Sequence, residues 1–217
     1  MIIEKNLTRI ISTLPEQVHL VAVTKHRSIE EIQRVVNYGI QDLGENKVQE
    51  LLNKYPKIKG DVRWHFIGHL QRNKVKVIID KVHLIHSVDS IRLAEEVQLQ
   101  SLKIQKKTSV LIQVNISKEE SKYGIDETQI NNFIAEVSRF KNIVVQGLMT
   151  MAPYTENIEE TRHIFNELYK IYDKIKANQS QYSNVFMHIL SMGMTNDYSV
   201  AVAEGSTMVR IGRGIFQ

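Results

Sequence analysis

The 217-residue sequence contains no cysteine and three prolines. The absence of cysteine excludes disulfides, thiolate metal sites and cysteine nucleophiles. The prolines are scattered, and no stretch rich in proline, glycine or serine divides the chain into parts. The sequence therefore predicts a single domain over residues 1–217.

Long hydrophobic runs are also missing. No apolar stretch approaches the roughly 20 residues that a membrane-spanning helix needs. The first residues, MIIEKNLTRIISTLPEQ, place charges among the apolar positions and lack the uninterrupted apolar core of a signal peptide. We therefore expect a cytoplasmic protein that does not bind membranes.

Neither sign of charge is in large excess. Lys plus Arg number 28 against 24 Asp plus Glu, which gives a formal net charge of +4. The densest basic group, RNKVKVIIDK at 72–81, is typical of a solvated helix face. Because the electrostatic footprint of a nucleic-acid-binding protein is missing, we expect no nucleic acid partner. The small positive excess favours anionic small molecules as ligands.

What the sequence does contain is an alternation of apolar runs and longer amphipathic segments. Eight runs are typical of buried strands, at 19–24, 39–44, 63–68, 83–88, 108–116, 143–151, 185–192 and 207–212. Helical patterns follow most of them, with start signals at Ser28, Ser90, Asp126 and Asn157. This alternation indicates parallel βαβ units.

Eight such units predict an α/β protein, a single (β/α)8 TIM barrel with an extra N-terminal helix at 2–14. The alternative is a doubly wound open sheet, which would need a glycine-rich turn after the first strand. The sequence has TKHRS at that turn, without glycine. We therefore favour the barrel.

The functional residues of such a barrel lie at the C-terminal ends of its strands. The seventh and eighth strands end in SMGMTND and RIGRG, which supply Ser191, Gly193, Gly212 and the charged donor Arg213. Loops after these two strands often bind phosphate, although glycines that only form turns would give the same pattern. Both loops together favour an anion site.

Lys25 ends the first strand in VAVTKHRS. Two interpretations stay open. Lys25 is either a desolvated amine whose lowered pKa makes it a nucleophile, or a lysine that reaches solvent from the barrel rim. An amine on one side of the mouth and a phosphate site on the other would suit pyridoxal 5′-phosphate (PLP). Composition and spacing do not decide between the two.

Several motifs together resemble the YggS-like pyridoxal phosphate homeostasis proteins, also known as the PROSC group. The matching segments cover nearly the whole chain and include VAVTK (21–25), DLGENKVQE (42–50), WHFIGHLQRNK (64–74), GLMTMAP (147–153), LSMGMTNDY (190–198) and GSTMVRIGRGIF (205–216). The resemblance implies a PLP-binding barrel of the alanine racemase N-terminal type, fold-type III.

The resemblance also implies roles for individual residues. Lys25 matches the Schiff-base lysine, and Arg210 matches the arginine that faces the pyridine nitrogen. Asn46 and His69 match residues near the cofactor, and Met149 and Met192 match residues around its ring. The remaining matches are the phosphate cradle and a secondary site residue: Ser191, Gly193, Gly212, Arg213 and, secondarily, Lys122. Arg213 departs from the family, which usually has threonine there.

Arg210 limits the chemistry that the resemblance implies. A permanently charged guanidinium keeps the ring nitrogen unprotonated, and so restrains carbanion formation. Racemases of this fold also use a second base and a second domain, for which the eight units leave no residues. The resemblance thus implies a monomeric PLP carrier and regulator without catalytic residues or a metal, in transient contact with apo-PLP-enzymes. The alternative is a PLP-dependent amino-acid racemase.

Overall fold

The computed structural model describes residues 2–119 and 123–217. Within them, eight parallel strands form a closed barrel in chain order, and the last strand pairs with the first. The strands are β1 His19–Val23, β2 Asp42–Glu45, β3 Arg63–Phe66, β4 Leu84–Val88, β5 Thr108–Gln113, β6 Ile143–Met149, β7 Val185–Ser191 and β8 Met208–Ile211. The predicted TIM barrel is confirmed.

Helices surround the barrel and connect its strands. They are α1 Ile2–Ile11, α2 Ile29–Asn37, α3 Val48–Lys54, α4 Arg72–Ile78, α5 Ile91–Lys103, α6 Ile130–Val137, α7 Ile158–Ala177, α8 Tyr198–Ala203 and α9 Arg213–Phe216. The extra N-terminal helix α1 precedes the first strand, as predicted, and ends three residues before the predicted boundary at 14. None of these helices has the length and apolar character needed to cross a membrane.

The predicted helix starts agree with the observed ones in position, but not all of them cap with their side chains. Ser28 forms the full capping box with Glu31, and the Asn157 side chain accepts from the backbone of Glu159. Ser90 precedes α5 without a side-chain capping bond. Asp126 caps a short 3-10 helix, Glu127–Gln129, which leads into α6.

The second strand lies later than predicted. It covers Asp42–Glu45, whereas the apolar pattern placed it at 39–44. Gly39 has φ +109 and belongs to the turn after α2, a conformation that favours glycine. The correction matters for function because it places Glu45 inside the strand and Asn46 directly after it, at the barrel mouth.

Apolar side chains form two separate clusters. The larger one fills the space between the barrel wall and the helices. The smaller one lies among inward-facing strand residues and comprises Val21, Leu84, Leu111, Met149, Ile189 and Met208. Since successive strand residues face opposite sides of a sheet, residues two positions along from these also face the barrel interior. His86, Ser191 and Arg210 are such residues.

Candidate functional site

A cavity of about 360 Å³ opens at the C-terminal end of the barrel. Strand ends and the loops after β1, β2, β3, β6, β7 and β8 line it, as expected for this architecture. Five of the predicted site residues lie in its wall: Lys25, Asn46, Arg210, Gly212 and Arg213. The basic side chains of the described lining are Lys25, Arg210 and Arg213, and the acidic one is Asp197. This excess of positive charge suits an anion.

Lys25 lies at the mouth, exposed to solvent, and the structure therefore does not bury it as the desolvated-amine interpretation required. Its amine makes no hydrogen bond or ion pair with another described residue. The backbone on either side is held firmly. Thr24 donates its amide to the Gly44 carbonyl at 2.9 Å, and His26, at φ +60, donates its amide to Glu50 Oε2 at 2.9 Å.

A group of charged and polar side chains, all buried except the partly exposed Glu50, lies directly beneath this turn, between the barrel wall and α3. We call it the ionic cluster; it comprises Thr24, Glu45, Glu50 and Lys54. Lys54 Nζ donates to the Thr24 carbonyl at 2.8 Å, to Glu45 Oε1 at 2.6 Å and to Glu50 Oε2 at 2.9 Å. The Thr24 hydroxyl also donates to Glu45 Oε1, at 2.5 Å. Among the described residues the buried lysine is thus Lys54, which supports the segment that carries Lys25.

Arg210 projects from β8 into the barrel interior and reaches the cavity. Its Nη1 donates to Ser191 Oγ at 2.5 Å, and its Nη2 donates to the Thr150 carbonyl at 2.9 Å. Burial lowers the pKa of Arg210 to about 10, partly opposed by the charge of Asp197. The guanidinium therefore stays charged at neutral pH and retains further N–H donors for a ligand.

The loops after β7 and β8 meet beside Arg210. The Gly214 amide donates to Thr195 Oγ1 at 3.2 Å, which ties the two loops together. A Cβ on Gly212 would lie 3.3 Å from the Val23 side chain and backbone, tighter than ordinary contact, so glycine suits this wall. Arg213, exposed at the start of α9, adds a cation to the same edge. These groups can bind phosphate.

Asn46 brings an unpaired polar atom to the cavity. Its Oδ1 is buried and has no hydrogen-bond partner among the described residues. The Asn46 backbone packs directly against Gly68, where an added Cβ would come within 2.1 Å of the Asn46 carbonyl oxygen. Because an unpaired buried polar atom is costly, the arrangement fits a ligand that supplies the missing hydrogen bond.

Four other predicted site residues do not line the cavity. Met149 packs inside the barrel in the smaller apolar cluster, and Met192 packs in the larger one. Ser191 is fully buried, and its hydroxyl contacts Arg210 and His86. Gly193 accepts from the Arg210 amide through its carbonyl, and an added Cβ would lie 2.6 Å from Ala201. These residues support the site from behind.

His69 and Lys122 were predicted near the mouth. His69 is exposed, lies 3.4 Å from Asp89 through Nδ1, and stacks on Tyr123 with ring centroids 3.9 Å apart. It is not part of the cavity lining. Lys122 lies outside the described residues.

Two groups of residues at the site were not assigned to it from the sequence. The loop after β6 supplies much of the cavity wall through Met151, Pro153 and Tyr154, and the first helical turn beyond it adds Ile158. The second group is polar and buried: Lys54 behind Lys25, and His65 and His86 behind Arg210. A signal for the histidines was present, because each is a polar residue at an inward position of an apolar strand.

The barrel, the cavity and the three cations define a class of protein: a (β/α)8 barrel whose C-terminal face carries a cavity suited to an anionic ligand. Residues 2–217 match the family model described as "Alanine racemase, N-terminal domain". The chain belongs to this family, together with curated relatives described as pyridoxal phosphate homeostasis proteins.

Individual relatives cover nearly the whole chain. The pyridoxal phosphate homeostasis protein of Aquifex aeolicus is 42% identical over 198 residues, which are 91% of this chain and 85% of that protein. PipY of Synechococcus elongatus, solved without PLP, is 30% identical with a TM-score of 0.93 and covers 99% of this chain and 100% of its own. PipY solved with PLP bound gives a TM-score of 0.91 at the same identity and coverage.

Proposed function

We propose that the chain, as one domain, binds PLP and serves PLP homeostasis as a carrier and regulator of the cofactor. The single observation that carries this proposal is the convergence of Lys25, Arg210 and Arg213 on one cavity. An aldehyde, a ring nitrogen and a phosphate each find a partner of suitable chemistry among these residues. The unpaired Oδ1 of Asn46 fits a polar ligand in the same place.

Each residue has a distinct part in this proposal. Lys25 holds the cofactor through a Schiff base, for which its amine is open to solvent and unpaired among the described residues. The backbone around Gly212 and the side chain of Arg213 bind the phosphate. Arg210 donates to the ring nitrogen from the barrel interior. When bound, PLP supplies an aldehyde that reacts with amines and a ring that withdraws electrons.

The site supports holding the cofactor rather than turning over a substrate. Arg210 keeps its charge at neutral pH, and a charged donor at the ring nitrogen leaves that nitrogen unprotonated. Tyr154 lines the cavity, but 85% of it is exposed and its hydroxyl has no hydrogen-bond partner among the described residues. It is therefore not fixed as a base. We further propose that the protein is a cytoplasmic monomer that meets apo-PLP-enzymes transiently.

The test is the absorbance spectrum of the purified protein with PLP, before and after borohydride reduction, with mass spectrometry to locate the modified residue. We expect a visible band that Lys25→Ala abolishes and a reduced adduct on Lys25. The matched control is Lys47→Ala, at an exposed lysine next to Asn46 that does not line the cavity; it should keep the band. A wild-type protein that stays colourless with PLP contradicts the proposal.

The racemase alternative is tested on the same samples. A carrier should exchange the α-hydrogen of an amino acid for deuterium no faster than free PLP does. Exchange well above that rate, and lost in Tyr154→Phe, would make the protein an enzyme.

A further inference from the structure

A continuous chain of hydrogen bonds crosses the barrel interior behind Arg210. Arg210 Nη1 lies 2.5 Å from Ser191 Oγ, which lies 3.1 Å from His86 Nδ1. His86 Nε2 lies 2.9 Å from His65 Nδ1, and His65 Nε2 lies 2.9 Å from Asp42 Oδ1. We call these five residues, from β8, β7, β4, β3 and β2, the lumen chain.

Burial makes these hydrogen bonds obligatory. Ser191 and His86 have no exposed surface, His65 is 1% exposed and Arg210 is 3% exposed. A polar group that loses its partner in such surroundings keeps the full cost of its removal from water. Asp42, at the start of β2, connects the chain to the opposite face of the barrel, where Arg63 binds its carboxylate at 2.7 Å through both oxygens.

When both histidines are neutral, the two ends of the lumen chain fix the direction of every hydrogen bond in it. Arg210 can only donate, and an ionised carboxylate can only accept. Burial would raise the pKa of Asp42, but the hydrogen bonds from Arg63 and His65 outweigh it and hold that pKa below its usual value. His65 therefore donates to Asp42 through Nε2, and Arg210 donates to Ser191.

The two histidines then have one consistent arrangement. A neutral His65 that carries its proton on Nε2 accepts at Nδ1, so His86 must donate to it through Nε2. His86 accordingly accepts at Nδ1, and the hydrogen bond it accepts comes from the Ser191 hydroxyl. The opposite tautomer of His86 would place two lone pairs against each other at the 2.9 Å contact with His65. Complete burial, together with the charge of Arg210, lowers the pKa of His86 and so favours its neutral form.

We propose that His65 and His86 are positioning residues of the cofactor site: the lumen chain fixes the Arg210 guanidinium and connects its charge to the remote carboxylate of Asp42. This rests on the proposed function, in which Arg210 is the partner of the ring nitrogen. Hydrogen bonds that all point the same way polarise and strengthen one another. A buried arginine without a direct carboxylate partner thereby gains a counter-charge across the barrel.

The first experiment needs no cofactor. Nitrogen-15 NMR of histidine side chains in the wild-type protein at pH 7 distinguishes the two neutral tautomers and the protonated form. We expect both His65 and His86 to be neutral with the proton on Nε2. His86 with its proton on Nδ1, or protonated, would overturn the proposal. Because this measurement uses only the wild-type protein, it tests the hydrogen-bond directions of the lumen chain even if every variant fails to fold.

The second experiment measures the dissociation constant for PLP in variants that break the chain. Ser191→Ala removes the acceptor of a buried charged donor, and we expect binding roughly tenfold weaker. His86→Leu leaves the contact between Ser191 and Arg210 but removes its support, and we expect roughly three- to tenfold weaker binding. The matched control is His83→Gln, because the His83 ring lies 5.7 Å from that of His65 but is not part of the lumen chain; its affinity should not change.

The outcomes separate this inference from the proposed function. If the wild type binds PLP and the folded Ser191→Ala and His86→Leu variants bind it equally well, the positioning role is wrong and the proposed function stands. If the wild type does not bind PLP, the proposed function is wrong, and the tautomers still decide whether the lumen chain exists as described.

Discussion

The two sides of the cavity are supported by opposite means. Beneath Lys25, the ionic cluster places a lysine and two carboxylates between the barrel and α3. Behind Arg210, the lumen chain uses two histidines and a hydroxyl inside the barrel. The turn that carries Lys25 is held by ion pairs in direct contact. Arg210 is held by neutral groups, which separate its charge from that of Asp42.

The difference follows from what each side must hold. Lys25 sits on a turn, and a lysine that binds three acceptors at once can fix that turn through the Thr24 carbonyl. Arg210 sits on a strand inside the barrel, where a carboxylate in direct contact would neutralise the charge offered to a ligand. A neutral relay fixes the guanidinium and leaves its charge available. A side chain of the site can therefore be held firmly in place without a directly paired opposite charge.

The two regions also differ in completeness. Each side-chain atom that links the lumen chain has a hydrogen-bond partner. In the ionic cluster, by contrast, Glu45 Oε2 is buried with no partner among the described residues. An ion pair removed from water is sensitive to the loss of either member, because the other is left as an unpaired buried charge. The ionic cluster should therefore be the more fragile region.

The largest expected effect is that of Lys54→Met. The substitution keeps the length of the side chain but leaves the fully buried Glu45 carboxylate without its cation, and we expect the free energy of unfolding to fall by about 3–5 kcal/mol. Urea denaturation at pH 7 measures it. Lys57→Met, at an exposed lysine just beyond α3, is the matched control and should change stability by less than about 0.5 kcal/mol.

A double variant sharpens the same comparison. Glu45→Gln together with Lys54→Met removes both charges, and should recover part of the stability that Lys54→Met loses. A loss below about 1 kcal/mol for Lys54→Met alone would show that the buried pair contributes little. The two regions would then differ in the arrangement of their hydrogen bonds but not in their sensitivity to substitution.

The second-largest expected effect is the dependence of the free energy of unfolding on pH, through His86 of the lumen chain. His86 is completely buried beside His65, His83 and Arg210, and this burial, together with the charge of Arg210, lowers its pKa well below 6.5. Below pH 6.5 the unfolded chain binds a proton at this histidine and the folded chain does not. The free energy of unfolding should therefore decrease by about 1.4 kcal/mol for each pH unit of acidification, and recover as the pH rises through 6.5.

His86→Leu should remove that part of the pH dependence. Denaturation series between pH 5 and 7 measure the slope for the wild type and the variant. His163→Gln, at an exposed histidine of α7, serves as the control and should keep the wild-type slope. An unchanged slope in His86→Leu would mean that His86 titrates normally in the folded protein.

The sequence predicted the barrel well because its signals are local and repeated. Each apolar run was long enough to identify a strand, and the capping box at Ser28 was visible as a pattern of four residues. The second strand was misplaced because Ile40 is apolar but follows the turn at Gly39 rather than belonging to the strand. Strand ends placed Lys25 and Arg213 at the same barrel mouth, and the family resemblance added Arg210.

The support behind the site was not predictable in the same way. Contacts such as that between His86 and Ser191 join residues 105 positions apart, and they depend on which face of each strand points inward. Ser191 was assigned to the cavity because it lies near a strand end, and Met149 because of the family resemblance. The inward alternation buries both of them below the cavity. Lys54 gave no signal, since a lysine at the end of an amphipathic helix is typical of a solvated surface.

The smallest expected effect tests where the ionic cluster ends. Glu50 is partly exposed and accepts from both Lys54 and the His26 amide, which together outweigh burial and lower its pKa. Glu50→Gln keeps an acceptor for the amide and removes only the charge, so we expect a loss of about 1 kcal/mol in the free energy of unfolding. Urea denaturation measures it against Glu30→Gln, at an exposed glutamate of α2. A loss as large as that of Lys54→Met would extend the buried ion pair to Glu50 and make the whole turn beneath Lys25 a single charged unit.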